Sequence, residues 1–357
     1  MDGAAGWQFP CRCTVERIDL AAVKSIALVL LFFVSLAATA MLMSGVIPPA
    51  DVPQFSEKLE YFAAHRDEFD TLFIGSSRTF RQLLPKIFDP AMAAGGQPTR
   101  TFNFGLDGMF SPEDAYVAEK IFALRPQRLR RVFIEVSGFN TDFAAQPEET
   151  RRALHWHDFR RTVQLCREIL PFQKKKRLRD PARWARAWKH VRLYSVRALS
   201  LGEAARFLDR WRGVPARGRQ WVIGNDGDGA IPYVEETELP GDTREAWDRD
   251  IAALRAGTAG IRPLVPASLE SLAGTIARVR ALGAEPVLFV APMAVQRVNT
   301  AAGQVREPVL DFSDPHRWPA LFDPANRYDR THLNAPGARL FSRLFAEEVL
   351  ALPHAKP

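Results

Sequence analysis

The amino-acid sequence predicts a three-layer α/β/α domain on a parallel sheet, behind one N-terminal transmembrane helix and interrupted by a largely helical insertion. Three observations lead there. Ser25 to Ile47 run without a charge. Four short strand-like runs (Thr71–Ile74, Arg100–Phe104, Arg131–Val136 and Pro286–Val290) end at turn residues, with helix-period stretches between them. Strand and helix alternating at that spacing make a parallel sheet covered on both faces. The rhythm lapses between 144 and 260 and then resumes.

The uncharged stretch is long enough for one helix across a hydrocarbon core of ~30 Å. Arg12, Arg17 and Lys24 precede it, and the next lysine is Lys58. The positive-inside bias puts residues 1–24 in the cytoplasm, 25–47 in the membrane and all that follows on the extracytoplasmic side. A cleaved signal peptide is the rival, since Ala38-Thr39-Ala40 has the small-x-small form. The long leader and the apolar residues from Met41 to Ile47 favour an uncleaved anchor. Both readings export the rest of the chain.

Of 357 residues, 47% are hydrophobic and 25% charged, with net charge +7; these values suit a globular protein with a real core. Arg and Lys crowd between Arg151 and Arg219, peaking at Lys174-Lys175-Lys176-Arg177. No zinc-finger spacing or RNA-binding signature accompanies them, so nucleic acid is not expected. A solvated basic face is the first reading and an anionic headgroup or glycan the second. Cys11 and Cys13 fall on the cytoplasmic side and leave Cys166 alone outside, so no disulfide framework is expected.

Pro48-Pro49 and Asp51-Val52-Pro53 form a stiff linker, followed by an amphipathic helix over 56–65 with Leu59, Phe62 and Ala63 on one face. Thr71–Ile74 breaks at Gly75-Ser76-Ser77 into a helix over 79–88. Arg100–Phe104 leads into Gly105-Leu106-Asp107-Gly108, and a helix over 112–124 opens with Pro112, Glu113 and Asp114. Arg131–Val136 ends in Ser137-Gly138-Phe139-Asn140. Residues 48–143 are thus the first part of the domain, 144–260 the insertion and 261–357 the second part. The second part holds a helix over 267–282, the strand Pro286–Val290 and a last helix over 336–350. The glycine-rich stretch Gly224–Gly229 lacks the spaced acids of a calcium loop and reads as a turn.

Open parallel sheets gather their ligands at the carboxyl ends of the strands. Ser77, Gly108 and Asn140 fall there, and Asp329 and His332 sit before the last helix. A serine hydroxyl needs a base to become a nucleophile; His332 can serve, with Asp329 fixing its tautomer. The backbone N–H groups of Ser77 and Gly108 and the Asn140 amide could hold an oxyanion. Singly, each piece reads as a turn, a loop or a helix cap; four of them in order are hard to reach by chance. No cofactor or metal is called for. His155 and His157 flank Trp156 and could be taken for metal ligands, but an ordinary insertion surface is the first reading. Asp311, Asp314 and His316 are weaker candidates for substrate binding, and Arg78 for holding an anion or pairing with a nearby carboxylate.

Phe73-Ile74-Gly75-Ser76-Ser77-Arg78, Asn103–Gly108, Ser137-Gly138-Phe139-Asn140 and Tyr328-Asp329-Arg330-Thr331-His332-Leu333-Asn334 resemble the four blocks of the SGNH/GDSL hydrolase superfamily. The resemblance covers about 70–143 and 283–350, and implies a flavodoxin-like fold with Ser77, His332 and Asp329 as catalytic triad. Ser76 stands where many members have Asp. With His332-Leu333-Asn334-Ala335-Pro336-Gly337, that variant resembles the membrane-anchored branch of teichoic-acid D-alanylation and alginate O-acetylation proteins. That branch implies O-acyl transfer or ester hydrolysis on an exported polysaccharide, with an acyl donor, a polysaccharide acceptor and a membrane-bound O-acyltransferase as partners. The alternative of another class is a catalytically inactive structural or glycan-binding subunit of a surface-polymer assembly.

Overall fold

The computed structural model describes residues 20–46, 52, 54–142, 147–171, 179–199, 211–212, 227–233, 241–295 and 297–353. The basic run 174–177 and the cysteines at 11 and 13 lie outside these residues. The chain divides into two compact units, Met1–Pro49 with Ala198–Val214, and Ala50–Arg197 with Pro215–Pro357.

In the first unit α1 spans Leu20–Val46, starting five residues before the predicted span. Its stretch Val23–Ala40 has mean hydropathy 2.2, and Leu28, Leu30, Leu31, Phe32 and Val34 are all exposed. By length and composition α1 can cross a membrane, and a signal sequence would have the same form.

The second unit is α/β. Strands β1 (Thr71–Gly75), β2 (Thr101–Gly105), β3 (Arg131–Glu135), β5 (Glu285–Val290) and β7 (Val309–Asp311) form one parallel sheet in the order β2-β1-β3-β5-β7. Register is direct: Thr71 lies beside Thr101 and Arg131, and Arg131 beside Glu285. The strands are apolar on both faces because both are covered. Leu72, Ile74, Val132, Ile134 and Leu288 join one core with Phe62, Val117, Ile121 and Ile276. Phe73, Phe133, Val287 and Phe289, alternating with them, join a second core with Phe88, Phe341, Phe345 and Val349. The helices behind the first core are α2 (Phe55–His65), α5 (Glu113–Ala123) and α10 (Pro266–Ala281); those behind the second are α4 (Pro85–Ala94) and α11 (Ala335–Leu350).

The helix expected over 79–88 is instead two, α3 (Ser77–Gln82) and α4. Pro85 opens α4 and holds Leu84 in an extended conformation, which stops α3. The fifth strand, β7, was not expected: three residues with one buried side chain, Leu310, carry no periodicity. A separate pair, β4 (Gly260–Pro263) and β6 (Arg297–Thr300), was likewise illegible.

The insertion contains α6 (Pro147–Trp156), α7 (Phe159–Ile169), α8 (Pro181–Ala198) and α9 (Gly241–Arg255). It is fastened to the sheet domain. Gln164 of α7 donates to Ala267 O at 2.8 Å and Ser271 Oγ at 2.9 Å on α10. Buried Arg161 donates to Ala115 O at 3.1 Å and pairs with Glu119 at 2.9 Å on α5.

Candidate active site

β1 ends at Gly75 because nothing larger fits: an added Cβ would overlap Thr79 Oγ1 and Glu135 Oε2 and stand 2.6 Å from Glu135 Cβ. The chain turns there into α3, with Ser76 as N-cap, its hydroxyl accepting from Arg78 N–H at 3.3 Å. Ser77 is the first helical residue, so its own N–H has no carbonyl within the helix to meet.

Ser76 has a second task. Its N–H donates to Glu135 Oε2 at 2.7 Å, and its hydroxyl lies 3.0 and 2.9 Å from the two carboxylate oxygens. Thr79 Oγ1 donates to the same carboxylate at 2.8 Å and Arg78 Nε at 2.6 Å. Burial drives the Glu135 carboxyl upward, but Arg78 and the hydrogen bonds from Thr79 and Ser76 outweigh it and hold the carboxyl below its ordinary value. Arg78 therefore pairs with a carboxylate, as one of its two sequence readings had it; a second nitrogen reaches the Met293 sulfur. Glu135 escaped the sequence reading. Its signal was the lone acid at the end of the apolar strand Arg131–Val136.

The chain between η-turn Pro324–Asn326 and α11 supplies the other half. Arg327 bridges to Leu333, and the N–H groups of Tyr328 and Asp329 donate to His332 O at 3.0 and 3.3 Å, closing a tight loop. Asn334 caps α11, accepting from Gly337 N–H at 3.0 Å. Within this loop Asp329 Oδ1 accepts N–H bonds from Thr331 at 2.6 Å and His332 at 2.8 Å, and Oδ2 accepts from His332 Nδ1 at 2.8 Å. Because a carboxylate only accepts, Nδ1 carries the proton and Nε2 is left basic. Nε2 lies 2.7 Å from Ser77 Oγ, so the hydroxyl donates to it. Burial raises the Asp329 carboxyl, but His332 and Thr331 more than reverse that and bring it down to about 2. The side chains of His332 and Asp329 are 17% and 37% exposed, so the relay opens to solvent.

Gly108 sits in the loop after β2 with φ +64, and an added Cβ would meet nothing within 4 Å. Glycine is needed there for its backbone conformation; no neighbouring protein atom demands it. The loop is held by Asp107, which takes Gln54 Nε2 at 2.7 Å and Arg81 at 2.8 Å. Asn140 N–H donates to Ser111 O at 2.8 Å, which ties the β3 loop to the β2 loop. The Asn140 side chain is exposed, with Oδ1 accepting from Asp142 N–H at 2.9 Å. Ser77, Gly108 and Asn140 thus share one end of the sheet; hydrogen bonds join Ser77, His332 and Asp329, but not Gly108 or Asn140, to one another.

The insertion also reaches this end of the sheet. Residues 227–233 lie along the free edge of β2, where Asn103 N–H donates to Asp228 O at 2.8 Å. Gly229, at φ +80, allows that approach, since a Cβ would overlap Asn103 O. The segment delivers Tyr233, whose ring stacks on Tyr328 at 4.1 Å and stands edge-on to His332 at 5.3 Å. The Arg81 guanidinium covers the Tyr233 ring at 5.0 Å.

The hydrogen bonds of the weaker candidates run to other partners. Asp311 accepts from Ser313, and Asp314 from His316 N–H; His316 Nε2 is 2.7 Å from Arg255 O. His157 is buried, away from the surface the sequence suggested, and His155 is half-buried. His155 packs against Phe55 and Tyr116, while fully buried His157 meets Ala153 O at 2.6 Å and His190 at 3.0 Å. No group of three or more metal-ligating side chains occurs among the described residues. Cys166 is half-buried, and burial pushes its thiol upward.

No family model matches the chain, and no curated protein matches it.

Proposed function

We propose that the chain is a serine-dependent acyl-transfer enzyme of SGNH/GDSL type, with a flavodoxin-like three-layer domain and a Ser77-His332-Asp329 triad. One observation carries the reading: Ser77 Oγ, 2.7 Å from His332 Nε2, and Asp329 Oδ2, 2.8 Å from His332 Nδ1, form a continuous relay between residues 255 positions apart. The strand order β2-β1-β3-β5-β7 and the two-sided core support the fold assignment.

In this mechanism His332 takes the Ser77 proton as Oγ attacks an acyl carbonyl, and Asp329 stabilises the imidazolium. The tetrahedral oxyanion is held by the N–H groups of Ser77 and Gly108 and by the Asn140 amide, each such donor contributing ~3 kcal/mol in the transition state. His332 then returns the proton to the leaving group, and water or a sugar hydroxyl resolves the acyl-serine. The domain lies on the extracytoplasmic side of a cytoplasmic membrane spanned by 25–47. Its substrates are an acyl donor and an exported polysaccharide, and a membrane-bound O-acyltransferase supplies or shares the acyl group.

Fluorophosphonate labelling of the full-length chain in detergent tests the reading. Labelling of the wild type that vanishes in Ser77→Ala and falls at least 10³-fold in His332→Ala is expected. A folded wild type that stays unlabelled would sink the triad and favour the non-catalytic subunit.

A further inference from the structure

α2 begins irregularly. Its N-cap is Gln54, with φ +65 and ψ −53. N-caps are ordinarily Ser, Thr, Asp or Asn in extended backbone, with a side-chain oxygen on the helix's own N–H groups. Gln54 departs on each count. It has a long amide, a backbone in the rare γ-turn region that strains any residue with a Cβ, and no side-chain bond to its own helix. Departures of this kind from local rules gather at functional or strained sites.

The side chain goes to Asp107 instead. Gln54 Nε2 donates to Asp107 Oδ2 at 2.7 Å, and Gln54 Oε1 accepts from Asp107 N–H at 3.1 Å. One amide thus grips both the carboxylate and the backbone of a single residue. Arg81, one turn beyond Ser77 on α3, donates to the same carboxylate at 2.8 and 3.3 Å. Burial raises the Asp107 carboxyl, but Arg81 and the Gln54 amide more than reverse that and keep it below its ordinary value. The peptide bond that follows carries the Gly108 N–H, and its oxygen, Asp107 O, accepts from Arg152. Lys58, one turn along α2 and fully buried, secures the end of β2 by donating to Asn103 O at 3.1 Å and Gly105 O at 2.6 Å.

We propose that Gln54 is a positioning residue for acyl transfer: by gripping Asp107 it fixes the peptide plane that presents Gly108 N–H to the oxyanion. This role rests on the reading of Ser77 as nucleophile and Gly108 as oxyanion donor. A trans peptide unit is planar, its C=O and N–H pointing opposite ways, so whatever holds Asp107 sets the direction of Gly108 N–H. Placement matters, because such a donor acts at about 2.7–3.1 Å from the developing charge, and a displacement of ~1 Å can cost ~10²-fold in rate. Helix initiation does not account for Gln54, since Ser or Asp in extended backbone would cap α2 better and without strain. The stretch of chain between α1 and α2 therefore ends in a support of the active site.

The test is the fluorophosphonate labelling rate of the full-length chain in detergent, read beside thermal unfolding. Gln54→Gly removes the grip and relieves the strained φ, so stability and rate should part. Its melting temperature should stay within ~3 °C of wild type or rise, while labelling falls about tenfold. Gln54→Glu sets a second carboxylate against Asp107 and should label about tenfold more slowly than wild type at about pH 8. As pH falls to about 5 the like charge favours its acid form, which can donate to Asp107, and the deficit against wild type at the same pH should shrink several-fold. A folded Gln54→Gly that labels at the wild-type rate overturns the proposal and leaves the triad standing. So does a Gln54→Glu deficit that is the same at both pH values, or a Gln54→Gly rate that falls only in step with stability. A folded wild type that stays unlabelled sinks the triad, and this role with it.

Discussion

Ser76 gives both its backbone N–H and its hydroxyl to the buried carboxylate of Glu135, on the neighbouring strand. The position before Ser77 thus contributes no carboxylate of its own and borrows one from β3. The same carboxylate holds Arg78 and Thr79, so one acid fixes the residues on both sides of Ser77 while leaving the Ser77 side chain turned to His332.

Replacing Glu135 should therefore cost more than an average buried substitution. Glu135→Ala strands the Arg78 guanidinium and three other donors, and a loss of about 3–5 kcal/mol in urea unfolding is expected. Glu135→Gln keeps one acceptor and should lose about half as much. Fluorophosphonate labelling of the folded Gln variant should fall about tenfold or more as the turn loosens; labelling at the wild-type rate would mean that Glu135 serves stability alone.

The glycines at the strand ends separate packing from conformation. Gly75→Ala forces a methyl into Thr79 and Glu135, where Glu135 Cβ cannot retreat; a loss of about 3 kcal/mol or more is expected. Gly108→Ala meets open space and bears only the strain of φ +64, about 1 kcal/mol. If Gly108 N–H serves the oxyanion, labelling of Gly108→Ala should fall far more than its melting temperature. Parallel small losses in both would remove Gly108 from the site.

Much of this was legible in the sequence where one signal was strong. Apolar runs gave β1, β2, β3 and β5 to within a residue or two, since strands buried on both faces carry unbroken hydrophobic stretches. The Asp329–His332 spacing foretold the carboxylate–imidazole contact, because a single tight loop makes it locally. What depends on distant contact was hidden. β7 has too few residues for a pattern, Glu135 matters only through its neighbours on β1, and Tyr233 reaches the site by docking along β2 some 130 positions away.

The carboxylate of the relay also sets a pH signature. Asp329 titrates near 2 in the fold against an ordinary 3.8. A lowered folded value means that its stabilisation is full above about pH 4 and lost as pH falls toward 2. After discounting for its partial exposure, that contribution is about 1 kcal/mol. The stability gap between wild type and Asp329→Asn should be constant from pH 7 to 5 and close between pH 4 and 2. In the same variant labelling at pH 7 should drop by about 10³-fold or more, because the amide no longer holds the imidazole in the Nδ1–H form. A gap unchanged at pH 2 would place the stabilisation on some other group.

Tyr233 tests whether the insertion is part of the site. Its ring is clasped between Arg81 and Tyr328 and stands edge-on to His332, so it limits how far the imidazole can swing. Stacked and edge-on aromatic contacts are worth ~0.5–1.5 kcal/mol each beyond buried area. Tyr233→Phe preserves the ring and should label at nearly the wild-type rate. Tyr233→Ala should lose about 2 kcal/mol of stability and about tenfold in labelling, with the loss in rate persisting at temperatures where the variant is fully folded. A folded Tyr233→Ala that labels normally would show that His332 is positioned by Asp329 alone and that residues 227–233 merely cover the edge of β2.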